Sequence, residues 1–174
     1  MVERRPSAAT VPAASPAGAV GYSHLAGAVL VGTYVLMLLG AYTSAIGAGL
    51  SCPDWPTCYG TLVPFLHPGV VAQAPYSALQ IFAEWAHRGL AALVGIGIVT
   101  TAVVAYRRKD STLVVRSAAL AAALLPVQVI LGGLTVTRAL QPAVVVGHLA
   151  VATLILLSLL TTTVVDWVGG HRSA

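Results

Sequence analysis

Four apolar stretches, each long enough to cross a lipid bilayer, account for most of this 174-residue chain. The hydrocarbon core of a membrane needs about 20 residues of helix to span it. We place the spans at about 22–47, 83–106, 113–137 and 142–166. A crossing segment must satisfy its own backbone hydrogen bonds, so these spans are helices rather than open strands. The sequence therefore predicts an all-α integral membrane protein, an antiparallel bundle of four transmembrane helices.

The composition agrees with a membrane location. Only 8% of the residues are charged, whereas a soluble globular domain has about 25%. No glycine-rich nucleotide-binding pattern and no heptad array is visible. The formal net charge of +4 does not indicate a nucleic-acid partner, because the basic residues are concentrated at one side of the predicted bundle. The partner that this pattern implies is the lipid bilayer.

Basic residues are distributed unequally between the two ends of the predicted bundle. Seven of the nine fall at one end: Arg4, Arg5, Arg107, Arg108, Lys109, Arg116 and Arg172. The positive-inside rule then places both termini and the 107–116 loop in the cytoplasm, in a multi-pass protein of the plasma membrane. Residues 1–20, rich in Ala, Pro and Ser, are expected to form a disordered cytoplasmic tail, and residues 21–174 the membrane domain.

Two histidines, His87 and His148, lie near the starts of the second and fourth spans. Those two spans run in the same direction, so both imidazoles are expected at similar depth near the outer face. Two neutral imidazoles that face the interior of a helical bundle form a site suited to haem iron. Glu84 shares a helix face with His87, and Arg88 can pair with Glu84 or reach a haem propionate. Polar residues at membrane depth are functional candidates.

The two cysteines, Cys52 and Cys58, lie on the loop that is expected to face the oxidising exterior. One interpretation is a structural disulfide, whose closure of so short a loop contributes about 2 kcal/mol, so that shaping the loop matters more than global stability. The other interpretation is a reversible redox pair that passes electrons to a site beneath it. Two thiols at this spacing do not match a zinc site.

Four motifs, in order along residues 24–166, resemble the haem A synthase family. Their sequences are GAYTSAIGAGLSCPDWPTC at 40–58, EWAHR at 84–88, Gln128 with LGGLTV at 131–136, and GHL at 147–149. Typical members of that family have eight spans built from two related halves, and this chain resembles the half-length forms known from some archaea. Many relatives have a basic residue where Ser44 stands, so a propionate contact here must come from elsewhere, from Arg88 or Arg138.

The resemblance implies that His87 and His148 are axial ligands of haem iron and that Glu84 is the catalytic carboxylate. It also carries over the Cys52–Cys58 pair. The implied reaction oxidises the C8 methyl group of haem O to a formyl group, which gives haem A for a terminal oxidase. The implied cofactor is haem, as haem B or as haem O and haem A. A half-length chain suggests a homodimer, with a haem O synthase and the terminal oxidase as further partners.

Two other functions remain open from the residues alone. A b-type membrane cytochrome that only transfers electrons would use the same histidines but would not need Glu84. A membrane thiol–disulfide oxidoreductase would use Cys52 and Cys58, and the histidines would be incidental. Such oxidoreductases usually relay between two cysteine pairs, and this chain has one.

Overall fold

The computed structural model describes residues 16–171 and, within them, the side chains of residues 21–169. Four long helices and one short helix, numbered in chain order, form this part of the chain: α1 Pro16–Ala45, α2 Pro68–Gln73, α3 Ala78–Arg108, α4 Thr112–Thr137 and α5 Pro142–His171. A single 3-10 turn, Pro64–Leu66, precedes α2. No β-strand occurs in the described part of the chain.

The four long helices confirm the all-α fold and the four predicted spans. Each is long and apolar enough to cross a membrane, and the protein is a multi-pass membrane protein. The helix ends differ from the prediction by a few residues. The first helix begins at Pro16, inside the predicted tail, and the remainder of that tail, residues 1–15, lies outside the described residues.

The ends of α3 are fixed by local hydrogen bonds. At its start, the Ser77 hydroxyl accepts from the Gln80 N–H, and the Gln80 side chain accepts from the Ser77 N–H at 3.0 Å. This reciprocal capping box satisfies backbone donors that the first turn leaves unpaired. At its end, Lys109 has a φ of 54°, and Ser111 caps the next helix. The connection between these helices, residues 109–111, is short, so α3 and α4 are antiparallel neighbours.

The helices are arranged in a ring in the order α1, α3, α4, α5. Within the described residues, the diagonal pair α3 and α5 makes no close backbone contact, and neither does the pair α1 and α4. One apolar core fills the middle of the ring, formed by Val29, Val94, Ile98, Ala121, Ile155 and Leu159. Leu90 and Val151 also pack against this core. They lie about one turn from His87 and His148, so the histidines lie directly beyond the apolar core.

The two ends of the bundle differ in chemistry. We call them the disulfide end, which has the long connection 46–77, and the Lys109 end, which has the turn between α3 and α4. At the Lys109 end, the Arg108 guanidinium lies 3.3 Å from Asp110 and 3.7 Å from Asp166. Burial raises the pKa of Asp110 above its ordinary value, Arg108 opposes that shift and Asp166 adds to it. This polar network ties α3 to α5.

Candidate haem site

The His87 imidazole lies directly against the backbone of Gly40, where α3 packs on α1. A Cβ atom added at Gly40 would be 2.9 Å from Cε1 of His87 and 3.5 Å from its Nδ1. Real Cβ atoms essentially never come that close to another heavy atom. Gly40 therefore provides the space that the imidazole occupies. The sequence alone does not identify this role of Gly40, because a glycine does not indicate which ring will lie on it.

His148 has the same relation to the other pair of helices. A Cβ atom added at Gly132 of α4 would be 3.3 Å from Cε1 of the His148 imidazole. Gly40 lies five residues before the end of α1, and Gly132 lies five residues before the end of α4. The structure therefore places the two imidazoles at the same level of the bundle, near the disulfide end.

Three buried polar atoms near this level have no hydrogen-bond partner among the described residues. They are Nδ1 of His87, Nδ1 of His148 and Oε1 of Gln128. Nε2 of Gln128 lies 3.4 Å from Nε2 of His148, a contact whose donor depends on the tautomer of the ring. A buried polar atom without a partner costs about 1–3 kcal/mol. Three such atoms at one level make this part of the bundle a candidate ligand site.

The residues fit haem better than a bare metal ion. Among the described residues, no three His, Cys, Asp or Glu side chains lie close enough together to hold a metal ion. An iron held by His87 and His148 must therefore bring its remaining ligands with it, as the porphyrin of haem does. The two imidazoles come from α3 and α5, whose backbones make no close contact among the described residues, so the interior of the bundle lies between these helices.

Glu84 is a buried carboxylate one helical turn before His87. Its relative exposure is 6%, and its Oε1 lies 3.0 Å from Nε of Arg88. The pairing follows from the spacing of four residues, which brings the two side chains together on one helix face. A buried carboxylate with a single charged partner can take up or release a proton beside a ligand. The structure thus gathers Glu84, Arg88 and His87 on two turns of one helix.

The Arg88 guanidinium forms most of its possible hydrogen bonds with groups of this chain. Besides Glu84, its Nη1 donates to the carbonyl oxygens of Asp54 and Thr57, both at 2.6 Å, and its Nη2 donates to the carbonyl oxygen of Cys52 at 2.9 Å. These bonds use four of the five N–H donors of a guanidinium. One Nη2 donor remains for another acceptor, and the predicted propionate contact of Arg88 remains a prediction.

The loop that Arg88 holds is closed by a disulfide bond between Cys52 and Cys58. Inside it, the Asp54 carboxylate accepts hydrogen bonds from the Thr57 hydroxyl, from the Tyr59 N–H at 2.6 Å and from the Gly60 N–H at 2.9 Å. Burial raises the pKa of Asp54, but these hydrogen bonds outweigh burial and hold its pKa below the ordinary value. The carboxylate therefore stays ionised and keeps the loop folded around it.

Trp55, between the two cysteines, extends from this loop to α4. A Cβ atom added at Gly133 would be 3.2 Å from Cδ2 of the Trp55 indole. Gly132 and Gly133 therefore accommodate two rings, the His148 imidazole and the Trp55 indole. Small residues in membrane helices often allow close approach of helices, whereas each glycine of this pair lies under a ring. The sequence does not identify the rings that lie on the two glycines, because these contacts depend on the path of the loop.

Comparison with known proteins gives a consistent set of similarities. A family model described as "Cytochrome oxidase assembly protein" matches residues 23–173. The chain is 38% identical to a protoheme IX farnesyltransferase of Halobacterium salinarum over 112 residues, and these residues cover 64% of this chain and 22% of that protein. It is 35% identical to a haem A synthase of Shewanella oneidensis over 127 residues, and these residues cover 69% of this chain and 38% of that protein.

A haem A synthase of Alkalihalophilus pseudofirmus is 25% identical over 144 residues, which is 82% of this chain and 45% of that protein. The chain thus spans less than half the length of each of these three relatives. No solved structure matches the chain significantly.

Proposed function

Because the chain belongs to the family of cytochrome oxidase assembly proteins (COX15-CtaA), we propose that it is a haem A synthase. It would oxidise the C8 methyl group of haem O to a formyl group and so make haem A for a terminal oxidase. The observation that carries the proposal is the pair of half-buried imidazoles at one level, each on its own glycine and each with a buried Nδ1 atom, with a buried carboxylate one turn away. The similarity to proteins named haem A synthase supports the same reaction.

His87 and His148 would hold the iron, and their packing on Gly40 and Gly132 would fix the orientation of each ring. Haem, when bound, supplies the oxidative chemistry that protein side chains lack. Conversion of a methyl to a formyl group is a four-electron oxidation, balanced with water as the oxygen source as –CH3 + H2O → –CHO + 4 H⁺ + 4 e⁻, so an external electron acceptor must take up the four electrons. Glu84 is the residue placed to take up those protons, because it is buried near His87 and held by Arg88. Such acid–base help contributes roughly 10²- to 10⁴-fold in rate.

The test is to identify the haem that the protein carries after expression in cells that make haem O. We expect haem O, haem A or a hydroxylated intermediate in the extract, identified by mass. The variants His87→Met and His148→Met serve as controls, and each should weaken or shift the low-spin absorption spectrum. Haem B alone in every extract would overturn the synthase and favour an electron-transferring cytochrome, which does not need Glu84.

Substrate and location follow from the same proposal. Haem O is the proposed substrate, and the similarity to a protein named protoheme IX farnesyltransferase supports a haem O synthase as a working partner. The terminal oxidase would receive the product. The basic residues at the Lys109 end support cytoplasmic termini and a plasma membrane location. At the disulfide end, Arg138 is exposed at the end of α4 and is a second cation for a haem propionate.

We also propose a homodimer, in which two copies of the bundle of four described spans pack against each other. A second copy would contribute four more spans around a two-fold axis. Mass measurement of the protein in mild detergent should find pairs of chains. A monomer that is fully active, or an assembly with an odd number of chains, would contradict the two-fold arrangement.

A further inference from the structure

The disulfide loop, residues 52–58, reaches from one side of the candidate haem site to the other. On α3 it is held by Arg88, which adjoins His87 in the sequence. On α4 it is held through Trp55, whose indole lies on Gly133, the residue next to the glycine beneath His148. The loop is therefore fixed at two points, and each point lies beside one of the two imidazoles.

The three carbonyl groups that converge on Arg88 come only from this loop. They belong to Cys52, Asp54 and Thr57, and a closed ring of residues between two bonded cysteines keeps them turned toward one guanidinium. The same guanidinium pairs with Glu84, and the side chains of Arg88 and Glu84 are only 14% and 8% exposed. One cation thus connects the loop to the carboxylate of the site.

The flanks of the loop are attached to α3 by other residues. Gln80 donates from Nε2 to the carbonyl oxygen of Ile46 at 2.9 Å, and Trp85 donates from Nε1 to the carbonyl oxygen of Leu62 at 2.7 Å. Between these flanks, Arg88 provides the hydrogen bonds from α3 to the loop backbone, while the Trp55 indole lies on Gly133 and the two cysteines pack with Ile81. Loss of Arg88 should therefore loosen residues 52–58 and leave the two flanks in place.

From this arrangement we infer that Arg88 is a positioning residue: it anchors the disulfide loop as a cover over the haem site, with Glu84 held by the same side chain. A cover fixed on both sides excludes water from the outer end of the site, which strengthens the electrostatic interactions inside it. The inference rests on the proposed function only in that it assigns a role for that site, since the anchoring itself is a property of the folded chain.

The test compares Arg88→Gln with Arg116→Gln in full-length, haem-loaded protein in detergent. Arg116 lies exposed on α4 at the Lys109 end, so its variant makes the same chemical change far from the loop. We expect Arg88→Gln to speed amide hydrogen exchange in residues 52–58 by at least about tenfold, because a hydrogen bond to a charged donor is worth about that factor or more. In Arg88→Gln, amide exchange in residues 62–73 and the low-spin absorption spectrum should match those of the unsubstituted protein. Arg116→Gln should match the unsubstituted protein in all of these measurements.

A second readout is the rate at which haem passes from the protein to an excess of apomyoglobin, which should rise in Arg88→Gln. Gly133→Val provides an independent variant if Arg88→Gln fails to fold, since it displaces Trp55 and leaves the Arg88–Glu84 pair intact. It too should speed haem transfer. Unchanged exchange in residues 52–58, together with a shifted haem spectrum, would overturn the inference and make Arg88 a propionate ligand. Neither readout depends on which haem is produced, so failure of the synthase proposal would be seen separately.

Discussion

The Glu84→Gln variant is expected to load haem normally and to lose haem A production by roughly 10²- to 10⁴-fold, the usual contribution of a general acid or base. Glutamine keeps an oxygen that can accept the hydrogen bond from Nε of Arg88, which now measures 3.0 Å. It cannot take up a proton from a carbon that is being oxidised. The measurement is extraction of haem from the purified variant and quantification of haem O, hydroxylated haem and haem A by mass.

Asp166→Asn is the matched control for that experiment. Asp166 is a carboxylate paired with Arg108, its side chain is 9% exposed against 8% for Glu84, and it lies at the Lys109 end. Its replacement should lower stability through the broken ion pair without changing the haem that is produced. Wild-type haem A yield from Glu84→Gln, with haem intact, would make Glu84 a structural residue.

The Gly40→Ala variant is expected to weaken haem binding by roughly 10- to 100-fold, the range seen when groups that orient a metal ligand are changed. The added Cβ atom would lie 2.9 Å from Cε1 of His87, so the imidazole must rotate away from its present position. Haem affinity is measured by titration of haem-free protein while the low-spin absorption band is followed. The helix itself should not weaken, because alanine is a better helix former than glycine.

Two further glycines give this prediction a graded control. Gly132→Ala should have a smaller effect, because its Cβ atom would lie 3.3 Å from Cε1 of His148 and needs only a small adjustment. Gly27→Ala should have none, because its Cβ atom would make an ordinary contact at 3.9 Å with Thr163. Equal affinities for Gly40→Ala and Gly27→Ala would show that His87 does not bind the iron through this packing.

Features that depend on local pattern could be predicted from the sequence. The four spans follow from apolar length alone, and the equal level of His87 and His148 follows from helix direction. The start of α3 at Ala78 was placed five residues late, although Ser77 and Gln80 form the capping box that marks it. The short helix α2, Pro68–Gln73, was not anticipated, because it has no amphipathic pattern of useful length.

Features that depend on the path of the outer loop could not be predicted. Arg88 was expected to choose between Glu84 and a propionate, yet it also binds three backbone carbonyls, which carry no side-chain signal in a sequence. The roles of glycines depend on the tertiary fold in the same way. Gly40 accommodates a ring, whereas Gly89 of α3 has open space beside it, and the sequence alone does not distinguish the two. Such contacts are set by the tertiary fold, after local preferences have been met.

The separation of the α3 and α5 backbones has a thermodynamic consequence. A ligand bound by one imidazole from each helix would act as a cross-link between two helices whose backbones make no close contact in the described part of the chain. Such a ligand binds the folded chain and not the unfolded one, and at a free concentration of 100 times its dissociation constant it adds about 2.7 kcal/mol to the free energy of unfolding. With haem as that ligand, the melting temperature of this protein would report haem occupancy as well as sequence, and variants would be comparable only at equal occupancy.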